Sequence, residues 1–163
     1  MVRFYAIEPK AHPAYHWAEY PERGSKTVYK VTGVRKCGDL ISSYVWSSRM
    51  IDCLVKCGAT GYSARPVTVL RGRQELRGYL RVCVLGKGGP LDCERSKVTL
   101  WKGRTIFGHE AVYMHEDGWD GNDLFRIPEL GGRNFAVERV ISELKKLNPT
   151  NVTFTFSTEC SLP

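Results

Sequence analysis

The sequence has no apolar run long enough to cross a bilayer: stretches such as Val82 to Leu85 and Phe135 to Val137 fall far short of the roughly 18–20 residues that a span needs. It also lacks the opening of an exported protein, because Glu8 and Pro9 stand where a signal peptide carries its continuous apolar region. Export is therefore not expected, and a cytoplasmic location is. Cysteine is too sparse for a disulfide scaffold of the small secreted kind, so Cys37, Cys53, Cys57, Cys83, Cys93 and Cys160 are expected as reduced thiols. No linker rich in Pro, Gly or Ser divides the chain, and neither a low-complexity tract nor an internal repeat is apparent. One domain over residues 1–163 is expected, with 46–157 as its core and 1–45 as an N-terminal part.

Motifs that carry chemistry are equally scarce. Gly86, Gly88 and Gly89 lie outside any G-x-x-x-x-G-K-[ST] pattern and precede no helical stretch, so a tight turn is expected there rather than a phosphate loop. His12-x3-His16 and Cys53-x3-Cys57 offer imidazole and thiolate ligands of the zinc type. On a helix, however, Cys53 and Cys57 share a face with Met50 and Leu54, which favours buried structural thiols and no metal. His109 and His115 have no local triad partner. The segment His115 to Asp123 is rich in oxygen donors but lacks the ligand order and terminal glutamate of an EF-hand loop. No cofactor and no catalytic residue are assigned.

What the chain does have is positive charge. It carries 24 Lys and Arg against 17 Asp and Glu, a net charge of +7, which attracts anionic partners. Arg65, Arg71, Arg73, Arg77, Arg81 and Lys87 crowd one stretch, with Glu75 the single acid among them. Lys26 to Val34 is β-branched and aromatic, as a strand should be. Ser47 caps a helical pattern in which Met50, Ile51, Leu54 and Val55 form the apolar face, stopped by Gly58. Pro66 to Leu70 and Tyr79 to Leu85 read as neighbouring strands of a hairpin with a basic tip. Lys97 to Trp101 and Glu110 to His115 are further strands, with a turn at Lys102-Gly103-Arg104. Val137, Val140, Ile141, Leu144 and Leu147 form the stripe of a second helix, ended by Asn148-Pro149. Val152 to Phe156 alternates as a last strand. Two helices among half a dozen strands without βαβ alternation predict an α+β fold, a mostly antiparallel sheet packed with two main helices.

Several motifs share an order with a known family: Gly78-Tyr79-Leu80-Arg81-Val82, Leu91-Asp92-Cys93-x-x-Ser96, Trp119-Asp120-Gly121-Asn122-Asp123-Leu124-Phe125-Arg126-Ile127, and Val137-Glu138-Arg139-Val140 before the final strand. Over residues 61 to 157 the chain resembles the Imm11-type (DUF1629-like) bacterial immunity proteins. The resemblance implies a non-enzymatic cytoplasmic protein that binds and neutralises a cognate toxin by occluding its active site or substrate path. A related group carries paired C-x-x-C-G motifs, which this chain lacks, so no zinc is carried over. The charge adds an acidic toxin domain as the expected partner. Trp119, Asp120 and Asp123 are the expected contact residues, and Arg71, Arg73 and Arg77 a steering patch. The rival readings are a basic nucleic-acid-binding accessory domain, although no RRM, helix-turn-helix or zinc-finger signature is present, and a small hydrolase using His109 or His115. Neither a membrane nor a nucleic acid is the expected partner.

Overall fold

The computed structural model describes residues 2–10, 16–21, 27–32, 37–101 and 105–161. In chain order its strands and helices are β1 (Phe4–Pro9), β2 (His16–Pro21), β3 (Thr27–Thr32), β4 (Leu40–Ser42), β5 (Val45–Ser47), α1 (Ser48–Lys56), β6 (Tyr62–Pro66), β7 (Thr68–Arg71), β8 (Gln74–Leu76), β9 (Tyr79–Val84), β10 (Gly86–Lys87), β11 (Thr99–Trp101), β12 (Thr105–Gly108), β13 (Leu124–Arg126), β14 (Asn134–Val137), α2 (Glu138–Lys146) and β15 (Val152–Phe156). The fold is α+β, with antiparallel-rich sheets and two α-helices among the described residues. No helix among them is long and apolar enough to cross a membrane.

Both helices form where the periodicity predicts. Ser47 caps α1, its hydroxyl accepting from the Met50 N–H at 3.4 Å, and Gly58 leaves the helix at φ +63°. Met50, Ile51 and Leu54 are buried, but Val55 is 66% exposed, so the apolar face is narrower than expected. In α2, Val140, Ile141 and Leu144 face the core while Lys145 and Lys146 occupy the last turn, where cations oppose the helix dipole.

Three strand expectations are corrected. Of Pro66 to Leu70 only Pro66 pairs with the Tyr79 to Leu85 segment, opposite Leu80; β7 pairs with β8 and, in parallel, with β3, whereas β9 lies between β5 and β6. The chain turns back earlier than expected because Gly72 adopts φ +61° in the first position of a two-residue turn, as a type II′ hairpin requires. Glu110 to His115 is not a strand; beyond β12 the chain is irregular, with Met114 bridging Leu91 and the Val112 N–H donating to the Ser157 carbonyl. Gly86 to Gly89 are not simply a tight turn: β10 runs parallel to β13. A Cβ on Gly86 would meet the Leu124 carbonyl oxygen at 2.2 Å, and one on Gly89 the His115 oxygen at 1.6 Å. These glycines permit close backbone approach. The turn at 102–104 and His12 lie outside the described residues.

The sheets add a structural repeat that the sequence does not display. One sheet runs β4-β5-β9-β6, and another runs β13-β14-β1-β15 with β10 added beside β13. The two orders correspond strand for strand, all antiparallel, with α1 following β5 and α2 following β14. The registers also coincide. Ser47 faces Tyr79 as Val137 faces Phe4, and Tyr62 to Pro66 descend against Val84 to Leu80 as Val152 to Phe156 descend against Pro9 to Tyr5. Leu40 opposes Trp46 as Leu124 opposes Ala136. Within the chain a unit of four antiparallel strands and one helix thus occurs twice. In the second copy the last strand of the unit, β1, comes from the N-terminus.

Duplication explains where the core sits. Buried Phe4, Ala6 and Ile7 from β1 join Leu40, Trp46, Leu54, Phe125, Phe135 and Leu144 in one cluster that draws on both halves and extends beyond 46–157. The aromatic centre is Phe4, Phe125 and Phe135, with ring centroids 5.5–5.9 Å apart. A smaller core of Tyr29, Val31, Ile41, Val45 and Val69 lies under the remaining four-stranded sheet, β2-β3-β7-β8.

Candidate functional site

The two halves are locked by a matched pair of carboxylates. The Asp39 side chain, 6% exposed, accepts from Arg49 Nε and Nη2, both at 2.6 Å, from Ser47 Oγ at 2.6 Å and from Thr150 N at 2.7 Å. Arg49 Nη1 reaches the Leu147 carbonyl at the C-terminal end of α2 at 3.3 Å. In the other half Asp123 accepts from Arg139 Nε at 2.9 Å and from Arg139 Nη2, and from both Thr60 N and Thr60 Oγ1 at 2.9 Å. Arg139 Nη1 reaches the Cys57 carbonyl at the end of α1 at 3.0 Å. Each aspartate thus grips the arginine of its own half and the threonine of the other. Burial alone would raise the Asp39 carboxyl, but donors from Arg49, Ser47 and Thr150 overcome it and hold the group well below the usual carboxylate range.

This geometry accounts for several singled-out residues. Asp123 is buried and fully engaged in its clamp, which explains the Asp-Leu-Phe-Arg and Glu-Arg-Val motifs as two ends of one ion pair. Trp119 is half-buried, tilted against Phe125 with centroids 6.0 Å apart, and its indole N–H donates to the Asn122 carbonyl at 3.0 Å. Asp120 is exposed, but its carboxylate accepts from the backbone of Lys87 at 2.7 Å and of Asn122 at 3.0 Å. Against the cost of burial, these N–H groups lower its pKa. Segment 119–123 is therefore a buckle tying β10 to β13. In the Leu-Asp-Cys-x-x-Ser motif, Asp92 Oδ1 accepts from Arg95 N at 3.0 Å, and fully buried Ser96 takes a hydrogen bond from Tyr113 N at 3.0 Å.

Arg71, Arg73 and Arg77 sit elsewhere, around the β7–β8 turn. Arg73 and Arg77 are exposed; Arg71 is half-exposed and donates to Gln74 Oε1 at 3.4 Å. Nearby, Arg65 lies directly opposite Arg81 across β6 and β9, a like-charge pair that adds to the positive field. The structure does not bring this patch together with Trp119 and the two aspartates.

The histidines and cysteines occupy separate places. His109 is buried, with Nε2 3.1 Å from Arg133 Nη1 and Nδ1 3.1 Å from the Cys160 carbonyl. Arginine can only donate, so Nε2 accepts and Nδ1 carries the proton. Arg133 in turn pairs with Glu8 of β1 at 2.8 Å. Burial, and then the Arg133 charge, push the pKa of His109 down from its ordinary 6.5. The unfolded chain binds this proton more readily than the folded one, so stability is full above about pH 6.5 and falls as pH drops below it. Between pH 6.5 and 5 the thermal midpoint is expected to fall by several degrees, and His109→Gln to flatten that slope; circular dichroism melts across the range measure it. His115 is exposed, on a pocket of about 280 Å³ with Asp92, Arg95 and Glu116.

Cys53 on α1 and Cys57 at its C-terminal cap are half-buried and face a groove of about 650 Å³ between α1 and α2. Burial, with a smaller contribution from Cys57, raises the Cys53 thiol. The six cysteines are free, and no cluster of three or more His, Cys, Asp or Glu among the described residues could hold a metal ion. The groove repeats across the duplication, Arg49 and Lys56 on one wall matching Arg139 and Lys146 on the other.

Sequence reasoning missed both clamps and the Glu8–Arg133–His109 chain. One signal was available: Ser48 to Pro66 and Glu138 to Phe156 share Arg, Ile, Leu, Lys and Thr at Arg49/Arg139, Ile51/Ile141, Leu54/Leu144, Lys56/Lys146 and Thr60/Thr150. Compared with known proteins, the chain matches no family model and no curated protein.

Proposed function

We propose that the protein is a cytoplasmic immunity protein, a non-enzymatic binder that neutralises a cognate bacterial toxin by covering its active site or substrate path. The observation that carries the reading is the division of labour in the fold. A duplicated scaffold is locked by paired ion clamps, and a basic hairpin projects from one half of it with its arginines exposed. Rigid presentation of exposed side chains lowers the entropy lost on association, which is what an inhibitor needs. The order of the family-like motifs supports the same reading, since their members prove to be the pins of the scaffold.

The test is a growth-protection assay. The toxin domain encoded by the neighbouring reading frame is induced in a bacterial host with and without this chain. Restored colony counts, together with co-purification of the two proteins, are the expected result. Absence of a toxin-encoding neighbour, or unchanged killing with this chain well expressed, would overturn the proposal.

A further inference from the structure

We infer that the sheet β2-β3-β7-β8 is the docking surface, and that it takes an acidic protein surface. The inference rests on the toxin-neutralising reading and adds where the partner sits and what its surface carries. Matching the halves strand for strand accounts for both sheets of the scaffold and both helices. Two segments that build the four-stranded sheet have no counterpart. Residues 10–36 link one half to the other, and residues 67–78 join β6 to β9, where the second half has the two chain ends.

The charge follows this division. Segments 10–36 and 67–78 carry nine Lys and Arg against three Asp and Glu, six of the seven net positive charges, while the rest of the chain has 15 against 14. The other elaboration, residues 86–122, has five against six. Among the described residues of this appendage Lys10, Lys30, Arg71, Arg73 and Arg77 stand against Glu19 and Glu75, so it adds positive field to a nearly neutral scaffold. Its core of Tyr29, Val31 and Val69 is anchored on Ile41 and Val45 of the scaffold, and the Gly72 turn fixes Arg73 at the tip.

The basic hairpin of this surface fits carboxylates better than it fits the bases of a single strand. Guanidinium groups pair bidentately with carboxylates and with phosphates alike, so the surroundings of the arginines decide between them. Binding to single strands also calls for exposed aromatic rings on which bases stack. Residues 67–78, which carry Arg71, Arg73 and Arg77, contain no aromatic, so the basic hairpin itself gives bases no ring to stack on. Tyr29 is fully buried, and the Tyr79 hydroxyl donates to the Gly38 carbonyl at 2.9 Å.

The experiment measures association of the full chain with the purified, catalytically disabled toxin domain from the neighbouring frame, and with a 30-base-pair DNA duplex. At 50 mM NaCl, R71E/R73E/R77E is expected to slow association with the toxin domain about 100-fold, and the milder R73Q/R77Q about tenfold. The scaffold control K56E/K87E/K97E is expected to stay within about threefold, and the wild-type rate to fall about tenfold or more by 500 mM NaCl. Arg73 and Arg77 are exposed, so R73Q/R77Q keeps the fold. If the wild type binds the toxin domain and the hairpin variants bind equally well, the docking surface is wrong while the immunity reading stands. An equal loss in the scaffold control also overturns the localisation. If the wild type ignores the toxin domain and retards the duplex through the same arginines, both readings fall.

Discussion

Replacing Asp39 by Ala is expected to destabilise the fold by about 3 kcal/mol, the low end of the cost of breaking a buried ion pair. At this chain length that lowers the thermal midpoint by roughly 10 °C. The side chain is 6% exposed and takes donors from Arg49, Ser47 and Thr150, so its loss leaves all of them without their acceptor. The low end applies because Arg49 is itself half-exposed and can turn to water. Asp123→Ala is expected to cost a similar amount through Arg139 and Thr60. The double variant should lose about the sum, since the two clamps share no residue. Acid behaves in the same way as the substitution. The Asp39 carboxyl is held below its ordinary 3.8, so its contribution is complete above that pH and is lost as pH falls further. The D39A variant is therefore expected to show a shallower loss of stability below about pH 4 than the wild type, measured by urea titration at each pH.

The parts of this architecture that were legible in the sequence are those specified locally. The Ser47 cap, the apolar stripe of α2 and the alternation of Val152 to Phe156 each depend on neighbours within a turn or a strand. Pairing is different. Pro66 to Leu70 and Tyr79 to Leu85 have the right pattern to be partners, yet Gln74 to Leu76, too short to register as a strand, intervenes and takes the place beside β7. The duplication stayed hidden because only five of the 19 positions from Ser48 to Pro66 keep their residue in the second half. The counterpart of β9, moreover, stands at the opposite end of the chain. Segment 119–123 looked like a contact loop because carboxylates beside a tryptophan, which can anchor a contact, would suit one. In the fold its unusual composition serves hydrogen bonds to backbone and to Arg139 instead. The basic stretch was visible from composition alone, but its isolation on an appendage needed the strand order.

Deleting residues 2–9 is expected to abolish cooperative unfolding altogether, although only the N-terminal strand is removed. β1 is not an edge: it pairs with β14 on one side and β15 on the other, buries Phe4, Ala6 and Ile7, and brings Glu8 to Arg133. Burial of Phe4 and Ile7 alone is worth about 2 kcal/mol each. Two ladders of hydrogen bonds add to this, and the deletion leaves β14 and β15 with unpaired inner edges. Together these approach the whole stability of an ordinary domain, about 5–15 kcal/mol. The duplication supplies the converse. In the first half, β6 reaches the strand equivalent to β1 through residues 67–78, so a linker of about that length should join residue 158 to Val2. Val2, Arg3, Phe156, Ser157 and Thr158 line one pocket, which places the two ends together. A circular permutant closed there and opened between β1 and β4 is expected to regain near-ultraviolet ellipticity and a single thermal transition within about 10 °C of the wild type. A deletion variant that melts like the wild type would show that β1 is an accessory strand. A permutant that stays unfolded beside a folded parent would show that the halves are not equivalent units.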